Sequence, residues 1–190
     1  MLRPAPAARD ALNRHHSLLT LDRLLELPHW EVVVAGLRNS RRVLETLTQS
    51  LPDRTLFEDS LACAEEVVRG RSDTEMLEPF CHRVYQIAAR LAARNRCDPG
   101  SLAELATAGQ AMHMTIDSVA DFDLDSYESV CATYLSLKAA SRLPPRGLIQ
   151  QVGLDLDQVI ALSEQHLPGE ILDAFGPLWK PVTGSDELKR

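Results

Sequence analysis

Apolar residues along this chain recur three and four positions apart and almost nowhere alternate, so the pattern predicts helices rather than strands. Ser17 to Leu27 reads as a short amphipathic helix, with Leu18, Leu21 and Leu25 on one stripe and Pro28 ending it. A second helix is expected from about Trp30 to Leu51. Its Val32–Leu37 portion is apolar nearly all round, and its Arg38, Arg41, Arg42 and Glu45 portion is half exposed. A third follows Pro52-Asp53, from about Thr55 to Arg69, and Gly70 stops it.

Three pairs then resemble capping boxes, in which an oxygen-bearing side chain precedes a Glu by three residues. Ser72 with Glu75 opens a helix to about Asn95, and Pro79 must either kink it or begin its true first turn. Ser101 with Glu104 opens a helix whose stripe is Leu102, Leu105, Gly109, Met112, Ile116 and Val119. Asp125 with Glu128 opens one reaching about Leu143, with Tyr127, Val130, Tyr134 and Leu137 on one face. After Pro144-Pro145, two short helices are expected, Leu148–Val152 and Asp155–Leu167, then a last turn at Glu170–Phe175.

These elements predict an all-α fold, an irregular helical bundle of about six to eight helices. The alternative is a short HEAT-like stack of helical hairpins, because helix starts recur at 44 to 51 residues without a repeated signature. The expected organisation is a loose N-terminal tail at 1–14, one helical domain at 15–176 and an extended C-terminal tail at 177–190. Composition agrees. Leu and Ala dominate an apolar share of 45%, and Val32-Val33-Val34 is too isolated to carry a sheet.

No apolar run reaches the roughly 20 residues that cross a bilayer, so no membrane association is expected. The N-terminus lacks the apolar core of a signal peptide. Cys63, Cys81, Cys97 and Cys131 stand singly, which suits reduced thiols in a cytoplasmic protein. The net charge of −7 is uneven, with residues 1–96 near +1 and residues 97–190 near −8. Such an acidic half disfavours direct DNA binding and favours a basic partner.

Candidate chemistry is sparse. Asp117, Asp121, Asp123 and Asp125 form an acidic stretch that could hold a hard cation, and a helical metal-dependent phosphohydrolase would add Glu58, Glu65, Glu66, Glu75 or Glu78. An EF-hand fails on spacing, since Ser126 and Ala132 stand where it needs Gly and Glu. The spacings His113 to Asp117 and Glu78 to His82 allow helical pairs. A small-ligand sensor would place its pocket near His82, Met112 and His113.

Zinc-protease, P-loop, dinucleotide and nucleophile-elbow motifs are missing, and no cofactor is expected. The segment from Leu148 to Leu162 fits a helical hairpin turning at Gly153. As a helix-turn-helix, however, it would present Asp155, Asp157 and Glu164 to phosphate, which the charge forbids.

Binding is therefore favoured over catalysis. The expected role is a bacterial-type cytoplasmic regulator that binds or sequesters a partner protein, as an anti-activator, adaptor or immunity protein does. A transcription factor or other basic protein is the expected partner, and a homodimer is a further expectation. The surfaces singled out are Leu18, Leu21 and Leu25, Asp121 and Asp123, and Trp179 in its Pro-limited segment.

Overall fold

The computed structural model describes residues 24–47, 51–97, 103–121, 126–140 and 148–175. Within them the chain forms seven α-helices: α1 (His29–Thr46), α2 (Arg54–Val68), α3 (Glu78–Cys97), α4 (Ala103–Ala120), α5 (Ser126–Ala140), α6 (Leu148–Ser163) and α7 (Pro168–Ala174). A 3₁₀ turn, Thr74–Leu77, precedes α3. No strand occurs among the described residues. The two terminal tails, Leu18, Leu21, Trp179, Asp123 and Asp125 lie outside the described residues.

α1 is the axis of the bundle. It packs against α2, α4, α5, α6 and α7, whereas α3 lies at the edge, chiefly against α4. A stack of hairpins would give each element only sequential neighbours, so the fold is an irregular bundle. The cause is in the sequence of α1: Val32, Val33, Val34, Ala35 and Leu37 are all within 1% of complete burial, and a helix apolar all round must be surrounded.

Close approach around α1 comes from small residues. A Cβ built on Gly36 would sit 3.1 Å from Thr133 Oγ1 of α5 and 3.4 Å from Thr115 Cγ2 of α4. The polar atoms in this seam are satisfied, Ser40 Oγ donating to Thr115 Oγ1 at 3.1 Å and Thr133 Oγ1 to the Val32 carbonyl at 3.0 Å.

Helix ends follow their local chemistry. Gly70 takes φ +68°, and the Gly70 and Arg71 amides donate to the Val67 and Glu66 carbonyls. This is a Schellman ending of α2, in the place expected for a glycine stop. Pro79 stands in the first turn of α3 instead of kinking it. At α7, Glu170 accepts the Leu167 amide at 2.9 Å, half of a capping box, since Leu167 has no oxygen to return.

Several expectations need correction. α1 stops at Thr46 rather than near Leu51. Ser72 does not cap the helix after it; Asp73 occupies the N-cap of the 3₁₀ turn and its side chain makes no capping bond. The turn expected at Gly153 does not exist, and α6 is one helix through it. Leu148, Val152, Leu156 and Val159 form an unbroken buried stripe, and burying it outweighs the roughly 1 kcal/mol helix penalty of one glycine. Leu154 falls off that stripe and is 48% exposed. In α5, Val130 and Leu137 are buried while Tyr127 and Tyr134 turn outwards, because the burial boundary falls between these adjacent rows.

Candidate functional site

The antiparallel contact of α3 with α4 brings His113, Asp117 and Asp121, three of the titratable residues that the sequence singled out, beside Cys81 and Tyr85 of α3. Gly109 of α4 faces Ala88 and Leu91 of α3, and seven to ten residues further along each helix Cys81 comes against Asp117. Gly109 permits this spacing, since its absent side chain leaves room for Leu91 Cδ1 at 3.3 Å.

At this end of the pair, His113 Nε2 lies 3.2 Å from Asp117 Oδ2, so the expected helical pair forms. The ring of Tyr85 is 5.2 Å from that of His113, tilted by 49°. The Cys81 thiol faces the Asp117 carboxylate. Asp121 continues the same row of α4 and is exposed. Burial and the fields of Asp117 and Asp121 push the Cys81 thiol up to about 12. A thiol so placed stays protonated, which is the reverse of what a cysteine nucleophile needs.

His82 does not join this group. It is exposed and pairs with Gln86 at 2.7 Å instead of with Glu78, and Tyr85 takes the place at His113 that the sensor reading gave to His82. Met112 is fully buried in the core. The α2 glutamates are engaged elsewhere: Glu58 pairs with Arg54, Glu65 with Arg41 and Arg69, and Glu66 with Arg69 and Arg71. Glu75 and Glu78 are exposed. Among the described residues no three His, Cys, Asp or Glu side chains converge as a metal site would require.

The sequence missed a second polar centre. Arg42, expected at a half-exposed position, and Asp155, expected on the second arm of a helical hairpin that does not bind DNA, are each 2% exposed and joined by two hydrogen bonds, from Nε to Oδ2 and from Nη2 to Oδ1, the latter at 2.9 Å. Arg38 Nε approaches the same carboxylate at 3.7 Å, and its guanidinium lies 4.6 Å above the Phe175 ring. The centre ties α1 to α6 and to the end of α7. Three Arg in one basic segment and a lone Asp in an apolar stripe gave a faint sign of it, but their separation of 113 residues hid the pairing.

An open cleft of about 700 Å³ lies between the end of α2 and Pro168, lined by Val67, Gly70, Arg71, Asp73 and Thr74. Beside it, Arg69 and Arg71 reach Asp173 of α7, at 2.7 and 3.3 Å. The hydrogen bond from Arg69 holds the Asp173 carboxyl below its usual range, against a small opposing effect of desolvation.

No described helix is long and apolar enough to cross a membrane. The four cysteines are free thiols, with Cys63, Cys81 and Cys131 half-buried and Cys97 exposed. Compared with known proteins, the chain matches no family model, no curated protein and no solved structure.

Proposed function

We propose that this chain is a non-enzymatic binding protein whose α3–α4 surface takes a basic segment of another protein. The observation that carries this reading is the placement of its tyrosines. Tyr85 stands on this surface 53% exposed, and the chain's other two tyrosines, Tyr127 and Tyr134 of α5, are likewise 59% and 43% exposed. Exposed aromatic rings cost solvation and contribute most when a partner covers them.

Charge supports the choice of partner. Asp117 is joined to Tyr85 through His113, Asp121 follows one turn later on α4, and neither acid pairs with Arg or Lys among the described residues. An arginine or lysine from a partner gains both the carboxylates and the ring face there. The protonated Cys81 thiol fits a recognition surface better than a reaction centre. Sequestration of a basic regulator such as a transcription factor is the form of activity this arrangement favours, in the manner of an anti-activator.

The test is retention of a specific protein from a native extract by the wild type, by Tyr85→Ser, and by Asp117→Asn/Asp121→Asn. Retention by the wild type should weaken with salt, and each variant should bind about 30-fold more weakly, the loss of an interfacial anchor worth about 2 kcal/mol. Circular dichroism checks that the variants remain folded. Equal retention by all three proteins, or none by the wild type, refutes the proposal.

A further inference from the structure

The outer face of α3 is basic and unpartnered. Of its 20 residues only Val84, Ala88 and Leu91 are buried, and its charged residues beyond Glu78 are all arginines. Arg83, Arg90 and Arg94 recur at seven and four residues, so they form one row along the exposed side. Arg83 meets Asp53 at 3.4 Å, whereas Arg90 reaches only the Gln86 amide oxygen and Arg94 meets no acid among the described residues.

The same chain carries a matching surface on α6. There Leu154 is 48% exposed, and Asp157 and, seven residues on in the turn just after the helix, Glu164 flank the exposed strip on one side. Neither acid meets a basic group among the described residues. At 1.5 Å per residue, the span from Asp157 to Glu164 and that from Arg83 to Arg90 are both about 10.5 Å.

We infer that the arginine row of α3 seats the outer face of α6 from a second copy of this chain. In antiparallel register Asp157 meets Arg90, Glu164 meets Arg83, and Leu154 covers the aliphatic stem of Arg94. A second copy is chosen over an unrelated acidic partner because the matching spacing and the opposite charge occur together on this chain. The inference is independent of the tyrosine surface, which uses a different row of α3. Two different patches meet at this contact, so it closes as a dimer only when both are used twice, and otherwise extends.

Sedimentation velocity over a range of concentrations tests it, at low salt and at about 0.5 M salt, where charge pairs are screened. The wild type should self-associate reversibly at low salt and dissociate at high salt. Arg90→Glu and Asp157→Arg should each raise the dissociation constant by about tenfold or more, since like charges then face each other. Arg90 is exposed and Asp157 is half-buried without an ion pair among the described residues, and far-UV circular dichroism checks that both variants remain folded. An equimolar mixture of the two variants should regain association, because the reversed charges meet. A monomeric wild type, unaltered association in the single variants, or no rescue in the mixture overturns the inference. A wild type that binds polyglutamate but not itself also overturns it, and assigns the face to an acidic partner.

Discussion

Removing the Asp155 carboxylate should be among the most damaging single changes to this fold. Arg42 and Asp155 each leave only 3% of their side-chain surface to water and are joined in bidentate geometry. Their net worth against a well-packed apolar pair is small, because desolvating both charges offsets much of their attraction. Deleting one partner is different. In Asp155→Ala the guanidinium of Arg42 stays in the interior without its bidentate acceptor, and Arg38, 3.7 Å from that acceptor, loses it as well.

The cost of such a deletion is about 3–5 kcal/mol. That is a fifth or more of the roughly 5–15 kcal/mol by which most domains are stable. For a chain of this size it lowers Tm by about 6–20 °C. Urea denaturation followed by far-UV circular dichroism measures it directly, together with Arg42→Met and the double variant Arg42→Met/Asp155→Leu. The double variant should lose far less than either single change, because the deeply buried Arg42 charge leaves with its partner and only the more exposed Arg38 gives up a contact. A loss below about 1 kcal/mol in Asp155→Ala, with an unchanged denaturant slope, refutes the argument and means that water reaches the pair.

Four further outcomes are expected. Gly169→Ala places a Cβ 2.7 Å from the Arg69 Cα, so backbone must move and stability should fall by about 1–3 kcal/mol; Gly109→Ala meets only the mobile Leu91 Cδ1 at 3.3 Å and should be near neutral in the same denaturation assay. Asn39 is 1% exposed and its amide has no hydrogen-bond partner among the described residues, so Asn39→Leu should raise stability by about 1 kcal/mol in a thermal melt; a loss would mean that a bound molecule satisfies the amide. The Cys81 thiol, raised from 9.0 to about 12, keeps its proton in the folded state longer than in the unfolded one, so its contribution is complete below about pH 9 and declines as pH rises towards 12; Cys81→Ala should flatten that part of the stability profile. Conversely, Asp173 keeps its charge to lower pH than an ordinary carboxyl, so its contribution is present at neutral pH and lost on acidification, and Arg69→Met should return its NMR titration midpoint to the usual range.

The helical class of this protein was legible in the sequence because helix formation is local. Periods of three and four, Gly70 beyond α2 and Pro79 at the head of α3 act through neighbours within a turn or two, and the elements arose where those signals placed them. The stripe of Leu105, Met112, Ile116 and Val119 was equally plain, since one apolar row admits only one buried face. His113 and Asp117 share a helix, so their pairing was also within reach.

What the sequence left open depended on contacts between distant segments. Gly153 reads as a turn in isolation, and only burial of α6 along α1 makes a continuous helix through it favourable. Arg42 and Asp155 look like surface charges until the bundle brings them together across 113 residues. Tyr127 and Tyr134 share a helical face with buried residues, yet the position of α4 against α5 decides on which side of the boundary they fall. Short-range spacing therefore determined which helices form. Tertiary packing decided which charges are desolvated and which aromatic rings stay exposed, because desolvation depends on every surrounding segment at once.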